Sequence, residues 1–219
     1  MSAQQHSWAD PTPACLYSQA VGFLALGTLF AGIVPALSAV LLIPWFFGIA
    51  LVCIIGGLIL LRNNDVYGGT LNFIVGAVFL TSGNWASLLI KFIGLPLAQP
   101  TVGTLAQLPI PTQMEGYAFG ILIIFLVVGG ILGLRLAWWV GVMLFVVALA
   151  VLFGPCIWNL MGAPGVPTDP AAGISNPFCL VSGILFIIFA LMNLYLATSL
   201  WVLHTTGKLV LPIGKPWLK

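Results

Sequence analysis

Ten formal charges punctuate this chain of 219 residues, and long uncharged runs separate them. They are Asp10, Arg62, Asp65, Lys91, Glu115, Arg135, Asp169, Lys208, Lys215 and Lys219. The runs hold 51 residues before Arg62, 25 before Lys91, 19 before Arg135, 33 before Asp169 and 38 before Lys208. A helix crossing the hydrocarbon core of a bilayer needs about 20 residues. Each run therefore accommodates one span, and the first accommodates two. The chain is 61% hydrophobic and 5% charged, whereas a soluble domain is roughly 45–50% apolar and about 25% charged. Such a chain cannot clothe a water-soluble globule, and its mean hydropathy of +1.19 agrees. The net charge of +2 is too small and too dispersed for a nucleic-acid partner.

The first run breaks at Gly32-Ile33-Val34-Pro35, because proline cannot donate within a helix and restricts the residue before it. Six helices are expected near 14–33, 36–61, 67–91, 116–132, 136–154 and 178–204. Helix is chosen over barrel because the runs are continuously apolar and lack the alternation of barrel strands. The expected fold is an all-α integral membrane protein, a six-helix bundle over 14–204. A polar segment 1–13 precedes it and a basic tail 205–219 follows. Residues 1–13 lack the basic start and short apolar core of a cleavable signal. The short connection Gly133-Leu134-Arg135 predicts a tight hairpin of helices four and five, while the proline-rich connections 92–115 and 155–177 read as irregular loops. With six spans, Arg62, Arg135, Lys208, Lys215 and Lys219 share one side and only Lys91 lies on the other. The positive-inside rule then puts both termini in the cytoplasm, at the plasma (inner) membrane. Trp8, Trp85, Trp158, Trp201 and Trp217 fall near span ends, where interfacial anchoring suits them.

Little in the sequence supports catalysis. Cys15, Cys53, Cys156 and Cys179 lie far apart, and His6 and His204 stand in different regions, so no metal-ligand spacing appears. Phosphate-binding, zinc-protease and nucleophile-elbow motifs are absent, and no cofactor is implied. Isolated cysteines read as small buried hydrophobes. For Cys156 and Cys179, at the outer ends of helices five and six, a disulfide is the alternative. No ionisable residue falls inside a span, although pumps and proton-coupled carriers usually keep one as a relay. That favours passive permeation, or permeation linked to a proton carried by the substrate. The amides Gln19, Asn72, Asn84 and Asn193 should face the bundle interior, because each needs a partner away from lipid. Helix three carries a polar cluster, Thr70, Asn72, Thr81, Ser82, Asn84 and Ser87, that reads as a pore lining or as a local helix break. The pairs Gly116/Gly120 and Gly129/Gly133 favour close helix packing.

Several segments resemble the succinate–acetate permease, or acetate uptake transporter, family. Tyr195-Leu196-Ala197 followed by Gly207-Lys208-Leu209-Val210-Leu211-Pro212-Ile213-Gly214 is similar to that family's C-terminal motif. Tyr67-Gly68-Gly69-Thr70, with Gly76 and Phe79-Leu80, resembles the segment opening its helix three. Asp10-Pro11-Thr12-Pro13-Ala14-Cys15-Leu16 resembles the signature before helix one, and Arg135 matches an arginine between helices four and five. The resemblance implies a six-helix protomer with its own pore, assembled into a hexameric ring, that passes acetate, succinate or related small carboxylates. The departures are specific. Asp10 replaces the signature's asparagine, Gln19 and Val75 stand where two pore-narrowing aromatics are expected, Cys53 replaces a glutamine and Leu200 a glutamate.

The leading expectation is a channel or permease for acetate or a similar small monocarboxylate. Asp10, Pro11 and Pro13 stand at its mouth, Gln19, Thr70 and Asn72 donate along the path, and Val75 forms an apolar constriction. Helix-one N-terminal amides offer partial positive charge there. Expected partners are the small carboxylate, the lipid bilayer and further copies of the chain. The alternatives are a non-transporting homologue serving as a structural subunit among partner membrane subunits, and a pore for a neutral small solute. An enzyme ranks last.

Overall fold

The computed structural model describes residues 9–35, 38–81, 113–162, 172–208 and 210–218. Six helices appear there: α1 (Thr12–Phe30), α2 (Ala39–Arg62), α3 (Val66–Thr81), α4 (Gln113–Leu136), α5 (Trp138–Val151) and α6 (Pro177–Thr206). A π-helical segment, Leu152–Trp158, extends α5. Five of these are long and apolar enough to cross a membrane, and Val66–Leu80 is a shorter apolar helix. Ser82 to Ser87, the suggested break after Thr81, Trp8 and Trp85 lie outside the described residues.

Local chemistry explains the boundaries. Proline occupies the first turn of α1, where its missing N–H is not needed. The helix stops at Gly32, whose φ of +69° suits glycine. There the backbone of Gly32 and Ile174 come so close that a Cβ on Gly32 would lie 2.7 Å from the Ile174 carbonyl oxygen. Asp65 caps α3 by accepting from the Gly68 N–H at 2.8 Å. Asn176 caps α6 through the N–H groups of Phe178 and Cys179, at 2.9 and 3.4 Å, and Gly207 ends it with φ +68°.

Two boundaries depart from the sequence expectation. α4 continues through Gly133-Leu134-Arg135, and Ala137 alone, in an extended conformation, joins it to α5. The segment after 154 is not a loop at first: the chain stays helical beyond Pro155, which lacks the N–H that a regular α-turn uses. The π segment accommodates that loss, and the Pro155 carbonyl accepts from Asn159 Nδ2 at 2.7 Å. Trp158 is also not an interfacial anchor. It is buried, with its ring 5.6 Å from that of Phe30, whereas Trp201 and Trp217 are exposed. All four cysteines are buried free thiols, Cys156 and Cys179 included.

Antiparallel pairs build the bundle. α2 and α3 meet along Gly57, Gly69 and Gly76, where a Cβ on Gly76 would lie 2.9 Å from the Ile54 nitrogen. α1 and α6 form the most extensive pair among the described helices, with a close crossing at Gly27 and Gly183. The outside is inverted relative to a soluble protein. Leu41, Trp45, Phe47 and Ile55 on α2, Tyr117, Ile121 and Ile124 on α4, and Leu180, Ile184 and Leu191 on α6 are all exposed. Continuous apolar faces of this extent are what a helix presents to lipid. The chain is an integral membrane protein built entirely of helices among its described residues.

Candidate functional site: a central cavity

A cavity of about 250 Å³ lies between α1, α3, α4, α5 and α6. α2 backs α1 and α3 from outside. Spacing of three and four residues gives each helix one face, and on α1 that face runs Thr12, Leu16, Gln19, Phe23 and Leu26 into the cavity. Most of the wall is aliphatic or aromatic. Its polar groups are few, namely Thr12, Gln19, Asp65, Tyr67 and Asn72. Asp65, at the start of α3, is the one charged side chain among the described residues of that wall.

Gln19 and Asn72 form one unit across the cavity. Gln19 Nε2 donates to Asn72 Oδ1 at 2.9 Å and lies 3.5 Å from the Cys53 sulfur. Asn72 Nδ2 donates to the Gly68 carbonyl at 2.8 Å. Both amides are buried, so pairing spares each the cost of an unmet hydrogen bond in an apolar surrounding. Val75 stands on the same wall one turn further along α3.

Beyond this pair the cavity meets a group of phenylalanines that sequence reasoning did not single out. The Phe23 ring lies 5.1 Å from Phe79, 5.5 Å from Phe186 and 4.7 Å from Phe189. All four border the cavity. Phe23 and Phe79 follow Gln19 and Val75 by four residues, hence on the same helical faces and one turn deeper. Aromatic rings thus stand one turn beyond Gln19 on α1 and one turn beyond Val75 on α3. The signal was available in the recurrence of phenylalanine at those spacings.

The opposite end gathers the segments around both termini. Asp10 Oδ1 accepts from the Thr12 N–H at 2.9 Å and from its hydroxyl at 2.6 Å. Asp10 Oδ2 lies 3.3 Å from His204 Nε2, joining α1 to the end of α6. The partial positive charge of the α1 N-terminus is thus met by the chain's own carboxylate. Pro11 and Pro13 sit half-buried in this mouth, outside the cavity wall. Thr70 is half-buried on α3 and also stands outside the wall. Of the seven residues expected along a path, the structure brings Gln19, Asn72 and Val75 together at the cavity.

The C-terminal segment completes the floor. Tyr195 donates from its hydroxyl to the Pro212 carbonyl at 2.9 Å and Ser199 to the Leu211 carbonyl at 2.7 Å. The Trp138 N–H reaches the Lys215 carbonyl at 3.2 Å, and the Trp217 N–H reaches Leu134 at 2.9 Å. These bonds place Ile213 in the cavity wall beside Leu136 and Leu200. Arg62, Arg135, Lys208 and Lys215 consequently cluster at this end of the bundle.

No family description and no curated protein matches the sequence. The three-dimensional comparison is different. A solved structure of the bacterial acetate channel SatP superposes with a TM-score of 0.71 at 20% sequence identity, covering 94% of this chain and 99% of that one. The arrangement of helices therefore sits on a known frame. The chain has the fold of the bacterial acetate channel SatP over nearly its whole length.

Proposed function

We propose that the chain is a membrane channel for acetate or a similarly small monocarboxylate, moving passively with the substrate's own proton. The observation that carries the reading is the cavity itself. An aliphatic and aromatic cavity with one amide pair lies inside a lipid-facing bundle that shares the acetate channel's fold.

The energetics choose the protonation state. Protonating a carboxylic acid of pKa about 4–5 at neutral pH costs about 3–4 kcal/mol, at 1.36 kcal/mol per pH unit. Taking a bare carboxylate into an apolar lumen costs tens of kcal/mol by Born solvation, unless cations or several donors meet it. Gln19 and Asn72 already bond each other, and no lysine or arginine borders the described wall. The acid form is the cheaper passenger.

In this reading Asp10, Pro11 and Pro13 form the mouth, Gln19, Asn72 and Val75 border the path, and the Phe23 group is the narrow section. Six spans place both termini in the cytoplasm of a plasma membrane, with the clustered basic residues on that side. Copies of the chain assemble as a ring of six. Gly48 and Gly120 support close approach by a neighbour, since a Cβ on either would meet nothing within 4 Å.

The deciding experiment is flux of labelled acetate into liposomes, compared with empty liposomes. Protein-dependent uptake should rise as pH falls toward the acid's pKa, and divalent succinate should pass poorly. Absence of uptake above the lipid background at every pH would overturn the assignment.

A further inference from the structure

A backbone atom fixes which way the amides of Gln19 and Asn72 are turned. Asn72 Nδ2 donates to the Gly68 carbonyl at 2.8 Å, and a carbonyl only accepts. Asn72 Oδ1 is therefore the atom that faces Gln19, and it accepts from Gln19 Nε2 at 2.9 Å. Gly68 gives its own N–H to Asp65 Oδ1, also at 2.8 Å. Three donors in succession thus point from Gln19 toward the mouth, and hydrogen bonds aligned in this way polarise and reinforce one another.

That order leaves one atom over. Gln19 Nε2 is held by Asn72 and by the Cys53 sulfur, whereas Gln19 Oε1 takes no hydrogen bond among the described residues. Gln19 borders the cavity, and its Oε1 is not one of the interior polar atoms sealed off without a partner. The amide pair therefore presents an acceptor to the cavity. The ionisable groups around it are occupied elsewhere. The Cys53 sulfur lies 3.5 Å from Nε2, the Cys15 thiol 3.7 Å from the Val52 carbonyl, and the Tyr67 hydroxyl donates to the Gly129 carbonyl at 2.8 Å. Asp65 stands at the mouth, beyond Gly68.

We propose that Gln19 Oε1 binds the undissociated carboxyl of the substrate by accepting its O–H, a role opposite to the donation expected from the sequence. The hydroxyl hydrogen is the one thing the acid has and its anion lacks. A carboxylate brings only acceptors to an acceptor, and no lysine or arginine on the described wall offsets the mismatch. Asn72 is the positioning residue. By holding Nε2 it keeps Oε1 turned to the cavity, and without it the amide is free to turn and offer an N–H to an anion. This inference rests on the channel reading and names the feature by which the substrate's protonation state is selected.

The test uses the full-length chain in lipid. Asn72→Leu releases Gln19, so the ratio of acetate uptake at neutral pH to uptake at about pH 5 should rise about fivefold over wild type, the worth of one hydrogen bond. A loss of packing alone does not reshape the pH profile. Independently, solid-state NMR of the wild-type chain should show the Gln19 side-chain carbonyl carbon shifting when acetic acid is added at about pH 5. Acetate added at about pH 8 should leave it unmoved, and so should methyl acetate, which has no hydrogen to give. An unchanged pH profile in folded Asn72→Leu would overturn the proposal. So would a carbonyl resonance indifferent to the acid, or one that answers methyl acetate equally. Where Asn72→Leu fails to fold, the wild-type resonance decides. In all these cases wild-type uptake still upholds the channel. A carbonyl that responds to the acid in a chain without uptake would instead retain the site and remove the channel.

Discussion

Asp10 concentrates the chemistry of the mouth in one side chain. One oxygen caps α1 through Thr12 and the other faces His204. These duties separate by substitution. Asn caps a helix about as well as Asp, whereas Ala loses about 1 kcal/mol. Asp10→Asn should therefore keep its thermal midpoint, and Asp10→Ala should fall by a few degrees. The exposed pair with His204 adds little. Because the passenger is the neutral acid, removing the negative charge should leave acetate uptake at about pH 5 unchanged in low and in high salt. A rise confined to low salt, where a charge at the mouth is unscreened, would mean that the anion passes. Val75→Trp is a second handle. It adds a large ring to the wall one turn before Phe79, and uptake should drop to the lipid background with the fold retained. Gln19 and Asn72 were legible in the sequence as interior groups, because an amide inside an apolar run has few places to go, and Val75 came from the family resemblance. The gathering of Phe23, Phe79, Phe186 and Phe189 was legible only in part: the recurrence four residues after Gln19 and Val75 was in view, but the rings come from α1, α3 and α6, which only the folded bundle brings together.

At the level of elements, the α2–α3 contact depends on what is missing from Gly57, Gly69 and Gly76. Each allows the facing backbone to come close, and in lipid such packing supplies the association that the hydrophobic effect does not. Gly76→Val should force the helices apart at Ile54 and Ala50 and cost about 1–3 kcal/mol. Thermal unfolding in mild detergent measures it, and an unchanged midpoint would show that the seam is looser than its geometry. These glycines were in view as residues but not as a seam, because their spacing on two helices aligns only once the hairpin forms. The π segment was equally hidden. Pro155 reads as a terminator from sequence, and only packing, including the Ser182 hydroxyl bond to the Ala150 carbonyl at 2.7 Å, holds the chain helical through it. The C-terminal segment makes a third element. Deleting the chain after Gly207 removes Ile213 from the floor and releases Trp138 and Tyr195. Uptake should then rise and discrimination against larger acids should weaken, as read by the ratio of acetate to benzoate flux.

For the whole molecule, the distribution of charge carried most of the fold, since a bundle in lipid is fixed first by where charges are not. Thiol labelling of single cysteines placed in 98–108 and at the C-terminus should report opposite membrane faces, and labelling from one face would sink the six-span arrangement. Native mass spectrometry from mild detergent should give a single closed oligomer, and a monomer alone would remove the ring.

One contact also sets a schedule. α1 makes its most extensive packing with α6, the helix that follows all the others in the chain. Through the synthesis of everything between, Gln19 and the Asp10 mouth stand in the membrane beside none of the α6 residues that will cover them. The cavity cannot close as a partial product, because the first helix and the last both belong to its wall. A ribosome stalled before α6 leaves that wall open on one side. Enclosure is thereby a property of the order in which the walls are delivered.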